Sequence, residues 1–135
     1  MLSTTADGAH LKTTSYMTIS DGSVILPENL PSDAAIFDVE EGVSDGTFAL
    51  KEIDNGYLYG ANDADHTINT LSFKDKKDAS ASWYISLTND NVAMIGTYAN
   101  YGSDNLRYVN YSSAFSKFNF HTSAKDVYIY YIDGK

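Results

Sequence analysis

The segment 98–105, Tyr98-Ala99-Asn100-Tyr101-Gly102-Ser103-Asp104-Asn105, places two phenol rings, two amides and a carboxylate in one turn-rich stretch. A pyranose ring presents an apolar face of C–H groups to an aromatic side chain. Its hydroxyls need planar amide or carboxylate partners in exchange for water. Tyr98, Asn100, Tyr101, Asp104 and Asn105 supply both kinds of group, so they form the expected ligand-binding set, and a glycan is the expected ligand.

Other constellations carry less. Asn62, Asp63 and Asp65 bring three oxygen-bearing side chains together, as do Asp38, Glu40 and Glu41. Calcium takes roughly six to eight oxygen ligands. Neither stretch has the glycine and distal glutamate of an EF-hand loop, so Asn62, Asp63 and Asp65 stand as a lesser metal-binding set beside the plainer reading of solvated acidic turns. His10, His66 and His121 are too far apart for a local metal motif. No glycine–any–serine–any–glycine elbow occurs, and with 18 acidic residues no one carboxylate pair stands out for glycoside hydrolysis. The expectation is a protein that is not an enzyme and needs no cofactor. Trp83 would be the first residue to offer a sugar, but the alternation Trp83, Ile85, Leu87 assigns it to the core.

These groups need a scaffold, and composition points to one all-β domain over residues 1–135. The chain is 43% hydrophobic, with 11 Tyr and 6 Phe against 2 Pro, a bias that suits half-buried strands. There is no cysteine, so disulfides and thiolate chemistry are excluded. A net charge of −9 repels phosphate backbones and anionic lipid heads, which leaves a glycan or another protein as the expected partner rather than nucleic acid or membrane. No apolar run is long enough for a span or a signal core. An extracellular or cell-surface setting is expected, with any leader or anchor outside this chain, and residues 1–5 read as a trimmed terminus.

Alternation and turn signals predict strands throughout. Asp21-Gly22 predicts a hairpin over 15–26, and Asp54-Asn55-Gly56 a second between 47–53 and 57–59. Further strands are expected at 35–39, 68–73, 83–87, 92–95, 106–109, 115–120 and 127–132. Phe37-Asp38-Val39-Glu40, Trp83-Tyr84-Ile85-Ser86 and Val127-Tyr128-Ile129-Tyr130 begin three stretches spaced about 45 residues apart. Three units with the last strand lying beside the first predict a closed, β-trefoil-like barrel; a β-sandwich is the alternative.

The opening Gly56-Tyr57-Leu58, the tryptophan strand Trp83-Tyr84-Ile85, Asn105-Leu106-Arg107-Tyr108, the pair Phe118 and Phe120, and the closing Val127-Tyr128-Ile129-Tyr130 resemble β-rich accessory modules of secreted multidomain proteins from gut-type bacteria. The resemblance covers roughly residues 56–132. It implies a trefoil-like fold and a non-catalytic binding role, most naturally for glycans, with a structural, protein-interaction or protease-inhibitor role as the alternative. The glycine–tyrosine–leucine opening is also similar to fascin-like and ricin-type trefoils. The glutamine–any–tryptophan motif of the latter is missing, so its sugar-binding residues do not carry over.

Overall fold

A computed structural model describes residues 1–14, 31–62, 69–98 and 106–130, together with the backbone of 18–20 and 23–25. Twelve strands are described: β1 (Leu2–Asp7), β2 (His10–Thr13), β3 (Thr18–Ser20), β4 (Ser23–Ile25), β5 (Phe37–Glu41), β6 (Phe48–Glu52), β7 (Gly56–Asn62), β8 (Asn69–Lys74), β9 (Tyr84–Leu87), β10 (Ala93–Tyr98), β11 (Leu106–Ser112) and β12 (Lys117–His121). They build a six-stranded antiparallel sheet in the order β1-β2-β12-β11-β10-β9, a four-stranded antiparallel sheet β5-β6-β7-β8, and the separate β3–β4 hairpin.

The all-β expectation holds; the closed barrel does not. Among the described residues the strand ladders form two sheets that do not join into one closed ladder, an arrangement consistent with the β-sandwich alternative. The sheets are nevertheless laced at two corners. Phe48 and Trp83 exchange both backbone bonds at 2.8 Å, and Leu71 N donates to Ala9 O at 2.9 Å. These contacts satisfy backbone groups where edges would otherwise lie bare.

The core lies between the sheets. Leu11, Ile95, Val109 and Phe120 enter from the six-stranded sheet and Leu50, Leu58 and Leu71 from the other, with Trp83 among them at 0% exposure. Its indole N–H needs a partner once buried, and Nε1 donates to Leu58 O at 2.9 Å. Its ring meets Phe120 edge-on, centroids 6.0 Å apart. Phe120 in turn fits against β7 only because residue 60 is glycine, where a Cβ would lie 2.5 Å from the ring. The core assignment of Trp83 is therefore correct.

The predicted turn at Asn55-Gly56 is also found. Glu52 pairs with Gly56, whose φ of +87° favours glycine, and any side chain there would strike the Lys74 carbonyl. The Glu52 carboxylate caps the turn, accepting from Asp54 N and Asn55 Nδ2. The two-residue spacing between β3 and β4 fits the Asp21-Gly22 hairpin, although those two residues fall outside the described set.

The two ends of the chain are built differently, and the expected C-terminal strand is corrected. Residues 2–7 form a strand, hairpinned to β2 through Gly8 (φ +62°) and tied to the following loop by Thr4 N donating to Asp33 O at 2.7 Å. Asp33 also accepts from Ser3 Oγ and Thr14 Oγ1, bonds that hold its carboxyl below the usual aspartate value. Of the strand expected at 127–132, residues 127–130 form none and do not pair with the N-terminal one, while 131 and 132 lie outside the described residues. Instead β12 takes that place, pairing with β2 at Phe118↔Leu11. The tail is used elsewhere: Tyr111 N donates to Lys125 O and Ala93 N to Val127 O, while the Val127 side chain is buried in the core. The β10–β11 register ends at Gly96↔Tyr108, and the tail takes over the backbone bonds beyond it.

Candidate functional site

Alternation along β10 assigns the two faces of the six-stranded sheet. Ala93, Ile95 and Thr97 are buried toward the core, so Met94, Gly96 and Tyr98 face outward. The register carries that face across four strands as the row Tyr84, Gly96, Tyr108, His121. Gly96 is the key to this row. A Cβ there would sit 2.7 Å from two ring atoms of Tyr108, so the missing side chain lets the Tyr108 ring rest on the β10 backbone. Tyr84 and Tyr98 meet edge-to-face at 6.0 Å and are 38% and 48% exposed. Three tyrosines thus gather around one glycine on a solvent-facing sheet.

Beyond Tyr108 the same face continues as an open groove of about 420 Å³. Its floor is the rung Asn110–Asn119, where Asn110 Nδ2 donates to Asn119 Oδ1 at 2.9 Å and Asn110 Oδ1 accepts from Lys125 N at 3.0 Å. Ser112, His121 and Ser123 add polar groups, and Phe115, 72% exposed on the β11–β12 turn, forms an apolar wall. Ser123 N donates to His121 Nδ1, and Nε2 makes no hydrogen bond among the described residues.

The expected site residues are placed unevenly. Tyr98 lies on this face, at the start of the 98–105 segment; Asn100, Tyr101, Asp104 and Asn105 lie outside the described residues. At the other end of the segment, Arg107 turns inward opposite Thr97, with its Nε buried and unpartnered among the described residues. Of the lesser metal set, Asp63 and Asp65 also lie outside. Asn62 is buried on the inner side of β7 with Leu58 and Gly60, not on a solvated turn. No group of three metal-ligating side chains occurs among the described residues. Asp38, Glu40 and Glu41 run along β5, where Glu40 accepts from Lys77 Nζ at 3.2 Å and Tyr57 Oη at 3.0 Å. Those two bonds hold its carboxyl below the usual glutamate value.

Tyr84 and Tyr108 escaped the reading of the sequence. Their placement rests on cross-strand register and on the missing side chain of Gly96, whose space the Tyr108 ring occupies. The available signal was a glycine inside an alternating strand, Ala93-Met94-Ile95-Gly96-Thr97-Tyr98, which marks a close approach by another group.

One cluster that looks catalytic is structural. Lys74 Nζ donates to Ser80 Oγ at 2.9 Å and to Asp78 Oδ2 at 2.7 Å, while Ser80 Oγ donates to Asp78 Oδ1 at 2.6 Å. Asp78 caps the short 3-10 helix Ala79–Ala81, and Ser80 is 2% exposed. Partial burial raises the Asp78 pKa, but the Lys74 and Ser80 bonds outweigh it and hold the carboxyl below its ordinary value, which weakens it as a base toward the hydroxyl.

Compared with protein-family models, curated proteins and solved structures, the chain has no match.

Proposed function

We propose that this domain is a non-catalytic glycan-binding module of a secreted or surface protein, and that it uses the outer face of the six-stranded sheet as its platform. The observation that carries this reading is the cluster of Tyr84, Tyr98 and Tyr108 around Gly96. Ring faces presented on a rigid sheet meet the C–H face of a sugar without ordering a loop first. Tyr98 opens the 98–105 segment on this face, so Tyr101 as a second ring, and Asn100, Asp104 and Asn105 as hydrogen-bonding partners for sugar hydroxyls, belong to the same proposal. The likeness to accessory modules of secreted bacterial proteins supports the same role and the extracellular setting.

A shallow face should bind weakly, with a dissociation constant of roughly tens of micromolar to millimolar, because sugar hydroxyls give up good bonds to water. A broad glycan array probed with the full chain, with and without calcium, is the test. Binding to one class of glycan that is lost in a Tyr84→Ala, Tyr98→Ala double variant supports the reading. An array at background throughout counts against it and favours the protein-interaction alternative, for which exposed Leu87 and Ile129 offer apolar surface.

A further inference from the structure

The tyrosine cluster and the groove behind Phe115 share one face of one strand. Tyr98 stands level with Leu106 at the start of β11, Tyr108 lies near its middle, and Asn110 and Ser112 line the groove at its far end. Seven residues of β11 at the strand rise make a track of about 20 Å, the length of roughly four pyranose units. Aromatic surface stands at both ends, Tyr84 with Tyr98 at one and Phe115 at the other, with Tyr108 and the amide rung between.

The charge along this track is balanced. Tyr84, Tyr98 and Tyr108 contribute rings and phenol hydroxyls. The groove adds amides, hydroxyls and an imidazole, and its charged residues are the neighbouring, oppositely charged Lys125 and Asp126. Amides and hydroxyls both donate and accept, which suits a neutral polyol better than an anion. A chain of carboxylated or sulfated sugars would also meet the −9 charge of the whole domain.

Resting on the reading of this face as a glycan platform, we infer that the ligand is a linear, uncharged oligosaccharide lying along β11, with one end on Tyr84 and Tyr98 and the other in the groove beside His121 and Phe115. Each sugar added to a short chain gains a new contact without a second loss of overall translational freedom, so affinity climbs with length until the track is full.

The test is calorimetric titration of the full chain with gluco-, manno- and xylo-oligosaccharide ladders from dimer to hexamer, beside uronic acid oligomers of matched length. For the best neutral ladder, affinity is expected to rise about tenfold or more from dimer to tetramer and then level. Phe115→Ala and His121→Ala, both at exposed positions, should each lower tetramer affinity several-fold and so reduce the gain from dimer to tetramer. Tyr98→Ala should weaken both. A flat dependence on length, a preference for uronic acid chains, or groove variants that bind the tetramer as the parent does would each overturn the track while leaving the tyrosine platform standing. Failure of every ladder together with a blank array would overturn both.

Discussion

Both sheets carry outward tyrosines, but among the described residues only the six-stranded sheet leaves any of them exposed, at Tyr84 and Tyr98. On the four-stranded sheet, Lys51 Nζ stands 5.7 Å from the Tyr57 ring centre and Lys74 Nζ 4.7 Å from that of Tyr59, while the Tyr57 hydroxyl donates to Glu40. These rings are half-buried under charged stems, an arrangement worth on the order of 0.5–1 kcal/mol per cation–π pair. On the six-stranded sheet, Tyr84 and Tyr98 have each other, and Tyr108 has a glycine. Eleven tyrosines in a short chain are therefore not one population. What separates the proposed binding face from a stabilising one is whether a neighbour already occupies the ring.

Trp83 belongs to both sheets, and removing it should erase the contrast altogether. Trp83→Ala is expected to cost about 3–5 kcal/mol, through the lost contact with Phe120 and an unpaired Leu58 carbonyl in the core. Chemical denaturation checks this, and a loss below about 1 kcal/mol would show that the sheets do not share this anchor. Gly96→Ala strikes one side alone. The added methyl should push Tyr108 off β10 at a stability cost of about 1 kcal/mol and reduce glycan binding out of proportion to it, measured by melting temperature and titration on the same sample.

Exchanging the tyrosine deletions sharpens the comparison. Tyr84→Ala and Tyr98→Ala should weaken binding with little change in melting temperature. Tyr57→Ala and Tyr59→Ala should lower stability by about 1 kcal/mol each and leave binding intact. The reverse pattern would exchange the roles of the two faces.

Acid should separate the regions last and least. Lys77 and Tyr57 hold Glu40 below its ordinary value of 4.5; Ser3 and Thr14 hold Asp33, and Lys117 holds Asp7, below 3.8. Depressed carboxylates contribute stability that is fully present above their unfolded values and is lost as pH falls through the folded ones. Melting temperature should therefore be nearly flat from neutral pH to about pH 5 and decline below about pH 4. Glu40→Gln should flatten part of that decline, while the exposed-tyrosine variants leave its shape unchanged.

Most strands were legible because alternation and turn dipeptides are local signals. The Asn55-Gly56 turn, the β5, β6 and β8 to β12 runs and the burial of Trp83 all follow from residues within a few positions of each other. β1 was not legible: Leu2-Ser3-Thr4-Thr5-Ala6-Asp7 has almost no apolar alternation, and Ser3 is buried because Asp33 satisfies its hydroxyl from 30 positions away. The reverse error came at the tail. Val127-Tyr128-Ile129-Tyr130 alternates like a strand, yet Val127 alone is buried while Tyr128 and Ile129 are exposed, and Asp126 adopts a φ of +54° just before it. The repeat accordingly fails as a guide to equivalence. Phe37 begins one edge strand and Trp83 directly precedes another, whereas Val127 serves in the tail. Of the proposed site, the sequence singled out Tyr98, but the row that joins it to Tyr84 and Tyr108 depends on pairing that no single segment encodes.

The pairing of β12 with β2 has a consequence for time as well as for shape. Beside this ladder, Thr13 Oγ1 donates to Ser116 O across 103 positions of chain. The β1–β2 hairpin, synthesised well before β12, must therefore wait for that strand before it gains a neighbour in its sheet. Closing so large a loop is entropically costly, and chains dominated by distant pairings fold in milliseconds to seconds rather than microseconds. The β5-β6-β7-β8 meander has only sequential neighbours and can assemble during synthesis. Its early formation would give the nascent chain a template on which the Leu71–Ala9 bond holds the waiting hairpin until β12 arrives.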